Sequence, residues 1–180
     1  HYVKETYSLF LLRCISVLRM NGRLSFIIPD TYLFLNMHSR LRELILTNTK
    51  IDEILIFPSK FFPGVSFGYS NLSIITLERC DKKSALDNTF RIIQGFNSSS
   101  EFGTLLGNES ERSENLQIFS FKQRDILENE QCRVILAESK TSTLLSQSAQ
   151  KLGDVADVVT GFYTGDNLRF IKASGKAVSY

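Results

Sequence analysis

Leu24-Ser25-Phe26-Ile27-Ile28 is a short, nearly continuous apolar run closed by Pro29. Such a run suits a strand buried on both faces, as in a parallel sheet. Pro29 cannot donate to a ladder, so the strand ends there. Before it, Tyr7, Phe10, Leu11, Cys14, Ile15 and Leu18 recur at three- and four-residue spacing, which predicts a helix over 4–20 with one apolar face. Asn21-Gly22 ends that helix, because both residues tolerate the left-handed cap.

The same alternation of helix and strand continues. Met37, Leu41, Leu44 and Ile45 stripe a second helix at 36–48, with Arg40, Arg42 and Glu43 toward solvent. Ile51 to Phe57 reads as a strand ended by Pro58. A loop holding Pro63, Gly64 and Gly68 leads to a third strand at 72–77. Helix, strand, helix, strand, loop, strand is the back half of an open α/β sheet.

Beyond it, Asp81-Lys82-Lys83 is a polar break, and Thr89 to Ile93 is a further strand candidate. Residues 95–115, rich in Ser, Asn, Glu and Gly, read as an exposed loop. Gln117 to Phe121 alternates like an edge strand. Residues 123–130 are polar, either short helix or loop, and 142–151 has weak helical character. At Leu152-Gly153-Asp154-Val155 the pattern changes, which places a boundary near residue 150. Some thirty residues are too few for a domain core, so the second unit reads as truncated.

Size and charge set outer bounds. The chain has 180 residues, enough for one domain or one domain and the start of another. Hydrophobic residues make up 43%, which excludes disorder of the whole chain. Lys and Arg total 21 against 19 Asp and Glu, and the resulting +2 neither announces nor excludes a nucleic-acid partner. Cys14, Cys80 and Cys132 are far apart, odd in number, and remote from His1 and His38. That pattern fits neither a zinc site nor a disulfide scaffold, and free thiols suit a reducing cytosol. Arg13 and Arg19 interrupt the apolar stretch that starts at Leu9, and no run approaches the ~20 residues of a membrane span. No secretory signal is visible. The chain starts at His1 and ends soon after a new unit begins, which reads as a fragment.

Motifs that carry chemistry are mostly absent: no Walker loop, GxGxxG, HExxH or nucleophile elbow. Asp52-Glu53 opens a strand, and paired acids there are ordinarily a solvated strand end. In open α/β sheets, ligands sit outside the carboxyl ends of the strands. Pro29, Asp30, Thr31 and Tyr32 occupy such a rim. Read without function, they are a strand-to-helix turn, with Asp30 or Thr31 as the cap. Lys60-Phe61-Phe62-Pro63-Gly64-Val65-Ser66-Phe67 follows the next strand. Rings in such a loop usually fold back over the core, and sometimes present a face on which a base stacks.

Taken in order, four pieces resemble the N6-adenine DNA methyltransferases of type II restriction–modification systems. The likeness is strongest to the large enzymes that fuse endonuclease, methyltransferase and specificity domains. The pieces are Val17–Gly22 with Phe26-Ile27-Ile28-Pro29 and Tyr32-Leu33; Leu41–Leu46; Phe61-Phe62-Pro63-Gly64-Val65 with the strand near Ile74; and Leu152-Gly153-Asp154-Val155 leading to Thr164-Gly165-Asp166-Asn167. Residues 80–140 lie outside the likeness.

The resemblance implies a partial Rossmann-like methyltransferase fold, α/β, with a mixed sheet, flanking helices and an antiparallel last strand. Residues 1–150 would be the carboxyl half of the catalytic domain, and 151–180 the start of a target-recognition domain. The family flips adenine out of double-stranded DNA and holds it with an Asn-Pro-Pro-Tyr motif. No two of Pro29, Pro58 and Pro63 are adjacent, so that motif and most of the S-adenosylmethionine site would lie upstream. Phe62, with Phe61 beside it, matches the aromatic that stacks on the flipped base. Pro29, Asp30 and Thr31 would line the substrate side, and Thr164, Gly165, Asp166 and Asn167 would face DNA. The resemblance further implies a prokaryotic, cytoplasmic enzyme with no metal and no membrane contact. These residues alone would be inactive and would self-associate through an exposed sheet edge. One rival is a non-catalytic, methyltransferase-shaped DNA-binding subunit. The other is an unrelated α/β enzyme such as a nucleotide-dependent oxidoreductase.

Overall fold

The apolar runs of the sequence become the strands of one mixed sheet. The computed structural model of the chain describes residues 5–62, 68, 71–104, 115–137, 152–157 and 159, with 103 and 104 in backbone alone. The strands are β1 (Arg23–Pro29), β2 (Thr49–Pro58), β3 (Asn71–Arg79), β4 (Thr89–Gln94) and β5 (Gln117–Lys122), in the spatial order β1-β3-β2-β4-β5. β3 runs antiparallel to both β1 and β2. β2 and β4 are parallel, and β5 is antiparallel to β4. The helices are α1 (Thr6–Val17), α2 (Ser39–Asn48), α3 (Lys82–Leu86), α4 (Glu101–Thr104), α5 (Gln123–Glu128) and α6 (Leu152–Val155). The chain divides into two units, His1–Glu138 and Ser139–Tyr180. In the second, the described helix α6 is exposed.

Successive strand residues point to opposite faces, and this sorts the first unit. Ile75, Ile54 and Ile92 stand side by side across β3, β2 and β4. They form one buried cluster with Leu11 and Ile15 of α1, Leu41 and Ile45 of α2, and Ile126 of α5. On the opposite face Ile74, Leu55 and Ile93 are aligned in the same way. There Phe57, Leu72, Ile93 and Phe96 form a second cluster, with Phe61 and Phe102 packed against it. Farther from the strands' carboxyl ends that face turns charged. Arg23 pairs with Glu78 at 3.2 Å and Asp52 at 3.8 Å, and Arg91 pairs with Glu53 at 2.8 Å. Asp52-Glu53 is thus a surface feature, placed where the β2–β3 register shifts between Ile51 and Glu53.

The bulge has a buried polar partner. Gln123 is solvent-free; its Oε1 accepts from the Ile51 backbone and from Asn88, and its Nε2 donates to the Leu46 and Thr49 carbonyls, all at 2.8–3.0 Å. Every hydrogen-bonding site of its amide is used, so a polar group sits in the core without an unmet desolvation cost.

Several expectations need correction. Among the described residues β1 is an edge strand, not a doubly buried one: Ser25 is exposed and Ile27 is 52% exposed. An unbroken apolar run reports strand character, but not what covers each face. α1 ends at Val17, because Leu18 is already extended. Asn21 does adopt the left-handed conformation (φ 61°), but it starts the ladder to β3 instead of capping the helix. Its N–H donates to the Arg79 carbonyl, and the Arg79 N–H donates to the Gly22 carbonyl. A Cβ at Gly22 would sit 2.8 Å from the Arg19 carbonyl oxygen. Phe10 and Met37 are exposed, while Ser8 lies on the buried face of α1.

Arg42, expected in solvent, is buried. Its guanidinium donates to the carbonyls of Tyr32, Leu35 and Gln131 at 2.7–3.2 Å, so ends of two short turns and a distant loop satisfy it. The polar break at Asp81 is a helix cap: Asp81 accepts from the Ser84 N–H at 3.0 Å and the Ser84 hydroxyl at 2.7 Å, which holds its carboxyl below the usual range. Residues 95–102 are not simply an exposed loop, because Phe96 is buried and Phe102 half-buried. The candidate helix at 142–151 lies outside the described residues. Among the described residues no helix is long and apolar enough to cross a membrane.

Candidate functional site

Pro29 and Pro58 close β1 and β2 at the same end of the sheet, and β3 starts between them: Leu72 stands opposite Pro29 and Phe57, and Asn71 opposite Pro58. The residues following the two prolines therefore leave from one rim. The parallel strand β4 also ends there, leading to Gly95 and Phe96.

After Pro29 the chain makes a 3-10 turn, Asp30–Leu33, with no side-chain cap at its start. The expected capping role of Asp30 and Thr31 is thus not the one they take. Asp30 is 8% exposed and accepts from Asn71 Nδ2 at 3.3 Å. Burial pushes its carboxyl above the ordinary range, and the Asn71 bond opposes part of that shift. The Thr31 hydroxyl lies 2.9 Å from the Tyr7 hydroxyl, which is 3.0 Å from Nε2 of the solvent-free His38. Nε2 is also 3.1 Å from Glu5 Oε2, and Nδ1 is 3.4 Å from Ser8 Oγ. A carboxylate only accepts, so Nε2 donates to Glu5; the Tyr7 hydroxyl is shared among Thr31, His38 and the same Glu5 carboxylate. Burial raises the Tyr7 pKa and keeps the phenol neutral. Tyr32, grouped with this rim in the sequence, turns into the core and is 2% exposed.

After Pro58 a second 3-10 turn, Ser59–Phe61, carries the aromatic pair, and the Phe62 N–H closes it on the Ser59 carbonyl at 3.1 Å. The two rings have different surroundings. Phe61 stacks on Phe57 at 6.1 Å and meets the edge of Phe102 at 6.1 Å, inside the second cluster. Phe62 touches Phe57 at 6.1 Å and a tilt of 38°, and stays 36% exposed. Phe61 thus takes the cover role that such rings usually have. Phe62 is the more exposed ring of the pair.

The structure brings Pro29, Asp30 and Thr31 to the rim that carries Phe61 and Phe62. Pro63 to Phe67, and Thr164, Gly165, Asp166 and Asn167, lie outside the described residues. Sequence reasoning missed Asn71, Tyr7, His38, Phe57 and Phe102. His38 carried one usable signal, a polar residue beside the apolar stripe of α2; the others gain their roles only through tertiary contact. A small apolar cavity lined by Ile54, Ile75 and Phe90 lies in the core and not at this rim. Among the described residues no group of acids, histidines and cysteines could hold a metal. The rim offers a carboxylate already engaged by Asn71 and two aromatic rings. The described residues of the rim do not by themselves fit S-adenosylmethionine, whose charged amino-acid end and ribose need several unengaged polar groups.

A family model described as Eco57I restriction-modification methylase matches residues 1–62, about a third of the chain, from before α1 to Phe62. No curated protein matches the chain. Among solved structures, a modification subunit of a putative type I restriction enzyme from Vibrio vulnificus YJ016 is 19% identical. That match covers 74% of this chain and 31% of that one, with a TM-score of 0.55, which shows a shared fold. The type IIG restriction endonuclease BpuSI is 18% identical over 69% of this chain and 15% of its own, with a TM-score of 0.45. The type I restriction enzyme EcoKI M protein is 16% identical over 50% and 19%, with a TM-score of 0.43. In each case this chain spans less than a third of the other protein's length.

Proposed function

We propose that this chain is the target-base side of a DNA methyltransferase of a restriction–modification system. The complete enzyme transfers a methyl group from S-adenosylmethionine to adenine N6 in double-stranded DNA, in the prokaryotic cytoplasm, and is fused to an endonuclease. The observation that carries this reading is the family match over residues 1–62, which contains Pro29, Asp30 and Thr31 and ends on Phe62, the more exposed ring of the pair.

The chemistry asks for such a rim. An amino group on a stacked base is out of reach, so the base must leave the helix and find a new surface. Phe62 offers an exposed ring, and stacking of that kind contributes about 1–3 kcal/mol per base. Asp30 and Thr31 cannot wander, since Asn71 and Tyr7 hold them; they form a fixed wall on the substrate side. Donor binding and the Asn-Pro-Pro-Tyr function belong, in this reading, to residues other than those described, so residues 1–180 alone transfer no methyl group. From near residue 150 the chain begins the recognition domain, with Thr164, Gly165, Asp166 and Asn167 toward DNA. β1, at the edge of the sheet among the described residues, makes residues 1–180 self-associate in this reading.

The test is to incubate the full-length protein with methyl-labelled S-adenosylmethionine and unmethylated duplex DNA, then digest the DNA to nucleosides. Label in N6-methyladenine is the expected result. Label confined to cytosine, or none in DNA, would overturn the reading.

A further inference from the structure

Phe102 belongs to a part of the chain outside the family match and outside the likeness read from the sequence, yet its ring reaches the candidate site. It meets Phe57 edge-on at 5.2 Å and 81°, Phe61 at 6.1 Å and 73°, and the buried Phe96 at 4.8 Å. Phe57 is the shared support: it is 2% exposed and touches Phe61, Phe62 and Phe102. Edge-to-face and tilted pairs fix relative ring orientation more strictly than aliphatic packing does.

The segment that carries Phe102 is itself held. Gly95 ends β4 at φ +93°, and a Cβ there would lie 2.2 Å from the Asn115 carbonyl oxygen, so the departing and returning chains are in contact. The Asn97 N–H donates to Glu101 at 2.9 Å, and the Phe102 N–H donates to the Ser99 carbonyl at 3.3 Å.

We propose that Phe102 is a positioning residue for the Phe62 ring, acting through Phe57 and Phe61, so that the extension after β4 completes the base-facing side of the site. This inference rests on the reading of Phe62 as the base-stacking ring.

The experiment is a double-mutant cycle in the full-length protein, with Phe62→Ala, Phe102→Ala and the pair, read as kcat/KM for duplex DNA and as KM for S-adenosylmethionine. An aromatic support of this kind predicts a loss of about two- to tenfold in the DNA term for Phe102→Ala, with the donor KM unchanged. Because both act through one ring, the pair should be no worse than Phe62→Ala alone. Phe102→Leu, which keeps the packing volume, serves if the alanine variant does not fold; it should show the same non-additivity. Independent, multiplying losses in the pair would make Phe102 a merely structural residue and overturn the inference. So would an unchanged DNA term for Phe102→Leu and Phe102→Ala. If Phe62→Ala itself changes nothing, the base-contact reading falls, and the inference with it. If Phe62→Ala matters and Phe102 does not, the inference falls alone.

Discussion

On the helix-covered face of the sheet, Ile75, Ile54 and Ile92 lie side by side with almost no exposure. On the opposite face, Ile74, Leu55 and Ile93 meet an aromatic cover near the strand ends, and charged residues replace them farther away. The first face is bound by α1, α2 and α5 into one continuous core. Among the described residues the second is bound where Phe57, Phe61, Phe96 and Phe102 converge. Hydrophobic stabilisation scales with apolar area removed from water, so the first face dominates folding. The second places rings at the rim where ligands of open sheets bind. A substitution should therefore affect stability or chemistry according to the face it touches.

The largest expected effect tests the covered face. Ile75→Ala leaves a cavity among residues with no solvent access, and the loss should be about 2–5 kcal/mol, read from urea denaturation. A loss under 1 kcal/mol would show that this face is not the main support.

A smaller effect with a characteristic pH dependence is expected at the rim. The Asp30 carboxyl is raised by burial. Such a group favours the fold when protonated, below the carboxyl's unfolded pKa, and loses that contribution as pH rises through the higher folded value. At neutral pH ionised Asp30 therefore works against stability. Asp30→Asn should raise stability at neutral pH, with the gain fading in acid, and should lower methyl transfer. A variant less stable at neutral pH, with the loss fading in acid, would reverse the sign and contradict the burial account.

The smallest effect tests the charged half of the open face. Arg91 and Glu53 are partly exposed, and such pairs contribute about 0–1 kcal/mol. Arg91→Ala should shift the melting temperature by a few degrees at most, and less in high salt.

Much of this architecture was legible in the sequence because strands and helices write their period into it. β2, with Pro58 as its end, follows the apolar pattern of 51–57, and β5 was readable as an alternating edge. Which side of a strand is covered is a tertiary fact, and so β1 was misjudged. Buried polar groups were missed for a related reason. Arg42, Gln123 and His38 look like surface residues until Tyr32, Leu35, Gln131, Ile51 and Glu5 are brought to them by the fold. At the site, the rim segments were found from strand ends and prolines. The different surroundings of Phe61 and Phe62 were not, because Phe61 packs on Phe102, some forty residues away in a segment whose Ser and Asn content masks its two packed rings. The cap at Asp81 was the exception: Asp81 followed by Ser84 is a local signal that could have been read.

The most direct test is Phe62→Ala in the full-length protein, with stability and methyl transfer to duplex DNA measured on the same sample. An exposed ring that stacks on a base predicts a stability loss under about 1 kcal/mol, with a fall in kcat/KM for DNA of about fivefold or more. A stability loss of about 3–5 kcal/mol, the range for a buried phenylalanine, with unchanged turnover per folded molecule, would make Phe62 a piece of the core and contradict the account.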